Sequence, residues 1–223
     1  MRTPSLAITI SSVLGFGLGF GACATAGAPD TPDAAPPPSL HAQLARPVRL
    51  VVDPTASTGD LTAREHAGTS WTPAHVALAI DAGELRLERR GETALSLRAL
   101  EVDVAPIALP MLPGDAHLTG VALRLAAPAM LGVTWQDADH AVALATLDFE
   151  LAWSLTASGG TVPLGTQHLA AVPIAITLGR EGAAATAAVA LVQPGELWSW
   201  ADLVALDDLA LELPARTASP VIE

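Results

Sequence analysis

Lysine, asparagine and tyrosine are absent from this 223-residue chain, and cysteine occurs once. All 11 basic residues are arginines, against 23 acidic ones, for a formal net charge of −12. With no basic cluster to neutralise phosphates, the chain is a poor partner for nucleic acid. A single cysteine excludes an internal disulfide. Charged residues make up 15% of the chain where about a quarter is usual, and 51% of it is apolar. That apolar share is far too high for a chain disordered throughout. Alanine occurs 45 times. A GC-rich genome, poor in the codons for the missing residues, accounts for this bias, and no function follows from it.

What is present begins with an export signal. Arg2 supplies a positive charge, and Ser5 to Ala22 is an uncharged, largely apolar run ending in small residues. Gly15, Gly17, Gly19 and Gly21 make that run a poor permanent membrane helix, so residues 1–22 read as a cleaved signal peptide. The lone cysteine, Cys23, follows at once. Phe20-Gly21-Ala22-Cys23 resembles the lipobox of bacterial lipoproteins, with Phe20 standing where leucine is usual. The resemblance implies that Cys23 is lipidated and becomes the mature N-terminus. Three acyl chains there would hold the protein on a membrane essentially permanently. Ala24, in place of an aspartate, implies the outer membrane. Ordinary cleavage is the alternative, because Ala22-Cys23-Ala24 and Ala24-Thr25-Ala26 are both A-x-A patterns, and it would leave a secreted or periplasmic protein.

Residues 23–47 carry Cys23 and then a Pro/Ala-rich tether with Pro29, Pro32 and Pro36-Pro37-Pro38. Such a composition favours an extended, semi-stiff spacer. Residues 48–215 are expected to form one β domain, and 216–223 a short tail.

Within that domain, alternation dominates. From Thr146 to Thr156, Leu147, Phe149, Leu151, Trp153 and Leu155 share one face, opposite Asp148 and Glu150. Val121, Leu123 and Leu125 repeat the pattern, as do Leu85 and Leu87. Between Ala94 and Ala105 the phase slips: Leu95 and Leu97 have one parity, and Leu100, Val102 and Val104 the other, the signature of a β-bulge at Ala99-Leu100. Val48–Asp53, His75–Ile80, Ala170–Leu178, Thr186–Val192 and Leu209–Leu213 are further strands. Turns are expected at Asp81-Ala82-Gly83, Pro113-Gly114-Asp115, Ser158-Gly159-Gly160 and 179–182. The fold class is all-β: a single antiparallel β-sandwich or barrel-like curled sheet of about nine to eleven strands. One short helix is expected near the C-terminus, from Gly195 to about Leu206, where Leu197, Trp200, Ala201 and Val204 fall at helical spacing. His117-Leu118 with Val121, and His168-Leu169 with Val172, hint at a duplication, which chance likeness between amphipathic strands also explains.

Chemistry is sparse. There is no phosphate loop, GxSxG elbow, HExxH or CxxC. Asp137, Asp139 and His140 could coordinate a cation or simply solvate a hairpin loop. Asp60, His66 and Ser70 are the residue types of a hydrolytic triad without its geometry. Arg89-Arg90 reads as a solvated turn, and the five tryptophans as core. The aromatic girdles of a transmembrane barrel cannot be supplied by a chain with no tyrosine and three phenylalanines, two of them in the signal.

The expected function is therefore a non-enzymatic, lipid-anchored envelope domain without catalytic residues, metal or cofactor. A hydrophobic ligand is its preferred partner, because His75–Ile80 and Ala170–Leu178 are apolar on both faces. The alternative is a structural or protein-interaction module of the envelope, with those strands simply lying inside an alanine-rich sheet.

Overall fold

The computed structural model describes residues 37–67, 70–109, 115–200 and 204–217. The signal, Cys23, most of the tether, Pro113-Gly114 and residues 218–223 of the tail lie outside the described residues. Twelve antiparallel strands make one sheet: β1 (Val48–Val52), β2 (Thr58–Ala67), β3 (Ser70–Leu78), β4 (Ile80–Arg89), β5 (Ala94–Val104), β6 (Ile107–Ala108), β7 (His117–Leu125), β8 (Ala129–Trp135), β9 (Ala141–Ala157), β10 (Gly160–Glu181), β11 (Ala184–Trp200) and β12 (Val204–Thr217). Several are consecutive parts of one length of chain. β1 and β2 lie end to end along β12, with Val52 opposite Ala215 and Thr58 opposite Glu212. β3 runs into β4 across one residue, and β7 and β8 both lie along β9. β5 likewise runs into β6 across two residues, so counted as continuous lengths there are eight, each antiparallel to the next. The expected nine to eleven strands differ from the observed twelve because kinks divide these lengths.

The sheet closes on itself. β1 pairs with β4 on one side and with β12 on the other, Leu50 lying opposite Thr217 and Val51 opposite Arg216. Of the two expected arrangements, the described residues thus form a single curled sheet that closes into a ring, not two packed sheets. Alternation turns one face of the strands inward, and that face is mostly leucine and valine, with isoleucine, alanine, Phe149 and Trp153. Leu50, Leu85, Leu97, Leu100, Leu118 and Phe149 have no exposed surface. Burying each such side chain is worth about 1.5–3 kcal/mol. Facing outward on β1, β4, β5, β7 and β9 are Arg49, Arg86, Glu101, Asp103, Arg124 and Glu150. A barrel that spans a membrane has the opposite polarity, apolar outside and polar within.

The bulge at Ala99-Leu100 is present, shifted by one residue. Arg86 lies opposite Ala99 and Leu87 opposite Leu97, so Arg98 is skipped and both parities reach the interior. Similar slips explain the two histidine segments. In β7 the register jumps between Thr119 and Ala122, next to Gly120 at φ +60°. In β10 it jumps between Leu169 and Val172, where Ala171 has φ +54° and donates its N–H to Asp148 Oδ1 at 2.8 Å. In each, an extra residue separates two inward side chains.

Four expectations are corrected. The C-terminal helix is absent: Gly195–Trp200 continues β11, and Val204–Leu206 begins β12. Register shifts between Gln193 and Glu196 and between Glu196 and Trp198, with Gly195 at φ +92°, break the alternation and imitate a helical spacing. Asp81-Ala82-Gly83 is a kink within β4, where Ile80 faces Val104 but Ala82 faces Asp103. The tether does not run to residue 47, since Leu40 and Leu44 are wholly buried. The ordered β structure passes residue 215, with β12 reaching Thr217.

Candidate functional site

The two ends of the ring differ. At one end the loops 90–93, 136–140 and 182–183 surround a single-turn helix, α1 (Leu40–Gln43). Ser39 caps it, its Oγ accepting the Ala42 N–H. Leu40 and Leu44, four residues apart, point into the interior and stopper it. The loop residues singled out for metal binding hold this stopper in place. Arg180 donates Nε and Nη2 to the Asp139 carboxylate at 2.8 and 2.6 Å, and the Leu40 N–H donates to Asp139 Oδ1 at 2.9 Å. The hydrogen bonds from Arg180 hold the Asp139 carboxyl below the usual carboxylate range. Asp137 accepts the Asp139 N–H at 2.7 Å and lies 2.9 Å from His140 Nδ1; the first of these contacts chiefly lowers its pKa. His41 donates its backbone N–H to the Ala138 carbonyl, and its ring meets Trp135 edge-on, 4.8 Å between centroids. These carboxylates are engaged by the chain itself. Among the described residues no three potential ligands gather to hold a metal.

Arg89 and Arg90 have separate structural roles. Arg89 donates its N–H to the Leu44 carbonyl at 2.7 Å, fastening the chain after α1 to β4. Arg90 and Arg98 converge on Glu88, which their side chains help bury.

At the opposite end the ring is split. The Ala105 N–H donates to the Ala79 carbonyl at 2.9 Å, closing β4 against β5. Beyond that bond β3 pairs only with β2 and β6 only with β7. Among the described residues no backbone hydrogen bond crosses from β3 to β6. A notch opens between these edges, and burial fades along its β3 lip: Leu78 is buried, Val76 half-buried and Ala74 exposed. Behind the notch lies a void of about 20 Å³, lined by side chains from both lips (Leu78, Ile107), from Val104 of β5 and from other strands, including Trp153 and Leu197. All its lining residues are apolar. It has room for roughly one water and no polar partner for it.

Acidic groups stand around the notch. Asp60 pairs with His75 across β2 and β3 at 3.1 Å. It lies six residues from His66 along β2, about 20 Å at strand rise, so Asp60, His66 and Ser70 do not make a triad. Arg64 donates Nε and Nη2 to the two oxygens of the Asp207 carboxylate, and Nη2 also reaches Glu196 at 3.4 Å. Asp81 and Asp103 have no cation within ion-pair distance among the described residues. Sequence reasoning missed the notch. Its one signal was Pro73, a residue suited to a strand with a free edge.

No family model matches the chain, and no curated protein does. Two solved structures of Ail, the attachment invasion locus protein of Yersinia pestis, are similar at TM-scores of 0.37 and 0.36. Identity is 9% and 7%, over 76% and 77% of this chain and 98% and 99% of theirs. The second of them holds the heparin analogue sucrose octasulfate. Likeness this loose carries no functional argument.

Proposed function

We propose that the chain is a lipid-anchored, non-enzymatic domain of the cell envelope, held at the outer membrane through Cys23, that acts as a protein-interaction module. The observation that carries this reading is the filled interior. Leucine, valine, isoleucine, alanine, Phe149 and Trp153 fill the ring, and the apolar void found within it among the described residues is about 20 Å³, where a small-molecule pocket takes roughly 300 Å³ or more. The second apolar face that suggested a hydrophobic carrier is alanine on the outer surface: Ala77 and Ala79 on the β3 side, Ala170 and Ala171 on β10. The charged exterior suits a domain held beside a membrane rather than within it.

Two measurements test this. Cys23→Ser should move the protein from the membrane to the soluble fraction; retention at the membrane would overturn the anchor. Native mass spectrometry with solvent extraction of the released variant should show an empty domain. A co-purifying lipid in stoichiometric amount would overturn the filled interior and restore the carrier.

A further inference from the structure

The notch between β3 and β6 has three properties that belong together. Its lips are strand edges whose outward backbone groups have no partner strand among the described residues, the arrangement to which another extended chain adds. Leu78 and Ile107 of these lips also line the apolar void. Acidic residues stand near both edges in register: Asp60 lies opposite Ala77, Asp81 and Asp103 come two residues from the Ala79–Ala105 closure, and Asp115 precedes His117, which faces Ala108; Asp81 and Asp103 have no cation within ion-pair distance among the described residues. Pro73 removes a donor near the tip of β3 and leaves Ala74 to Leu78 as the open edge.

We propose that the notch takes an extended segment of a partner protein as an added strand, lying between β3 and β6. The segment alternates apolar and basic residues, its apolar side chains turned inward over Val76, Leu78 and Ile107 and its basic ones outward to the nearby aspartates. This rests on the reading of the domain as an interaction module and specifies how it would engage. An incoming strand satisfies both edges and completes the ring where it is split. Backbone pairing supplies contacts to any sequence, whereas the alternation selects among sequences.

The probe is an octapeptide alternating valine and arginine, compared with an isomer carrying the four valines before the four arginines. Both have the same charge and composition. Hydrogen exchange is followed on the Cys23→Ser full chain with each peptide and, separately, with oleate. The alternating peptide should slow exchange of residues 74–78 and 107–108 about tenfold, and the block isomer should not. Asp81→Asn with Asp103→Asn should weaken that protection several-fold at low salt and leave the melting temperature unchanged. Equal protection by both isomers would mean plain charge attraction and overturn the added strand. No protection by either would overturn it too, leaving the interaction module standing if the domain is empty. Protection by oleate and not by peptide would overturn both readings in favour of a carrier.

Discussion

The stoppered end and the split end of this ring are built from the same alternating strands, yet they satisfy their backbone and apolar surface differently. At the stoppered end a short piece of chain outside the sheet supplies two leucines, and an aspartate–arginine pair fixes that piece in place. At the split end nothing comparable is seen among the described residues, and the sheet peels open along β3. The difference teaches where specificity and stability separate. Stability resides where Leu40 and Leu44 complete the core; the proposed strand addition falls where two edges lack a partner among the described residues.

The contrast can be broken from the stoppered side first. Leu44→Ala, at a side chain with no exposed surface, should cost about 3 kcal/mol and lower Tm by roughly 6–12 °C in thermal unfolding followed by circular dichroism. Gly83→Ala comes next. An added Cβ would meet Val52 Cγ2 at 2.8 Å and the Glu101 carbonyl at 2.9 Å, so a loss of about 2 kcal/mol in urea unfolding is expected near the root of the notch. Asp139→Asn should destabilise less, and in a pH-dependent way. Because Arg180 lowers the folded pKa of Asp139 below its ordinary 3.8, the carboxylate's contribution is complete above that value and is lost as pH falls through the lower one. Urea midpoints at about pH 6 and about pH 2 should therefore fall further apart for the wild type than for the variant. Val76→Ala, on the half-buried lip of β3, should cost about 1 kcal/mol or less. A loss at Val76 as large as that at Leu44 would show that the notch is closed in solution.

Much of this architecture was legible because inward leucines and valines keep their parity. Thr146 to Thr156 lies within β9 as one face predicts, and the slip between Leu97 and Leu100 marks a real bulge. Legibility failed where bulges come close together. From Gln193 to Trp198 two register shifts bring Leu197 and its neighbours to helical spacing, and alternation over so few residues cannot separate a doubly bulged strand from a helix. The stopper was readable in principle, since Ser39 before Leu40 and Leu44 is a cap followed by an i, i+4 pair. The surrounding prolines and alanines masked it. Asp137, Asp139 and His140 were rightly noticed as a cluster, but carboxylate spacing says nothing of Arg180, which comes from a distant strand to claim one of them. The notch was invisible for a related reason: which edge stays unpaired depends on the closure of the whole ring.

That closure also sets an order in time. Leu50 meets Thr217, and Val52 meets Ala215, so the strand that opens the ordered sheet waits for the strand that ends it. Pairing across so long a loop is entropically costly and slow. As the chain emerges from its N-terminus, every hairpin from β3 onward can form early, whereas β1 keeps a bare edge until the last stretch has arrived. A nascent chain stalled before Val204 would therefore be a row of hairpins with two loose margins, exposed to association with its neighbours at the stage when it has most of its strands and none of its enclosure.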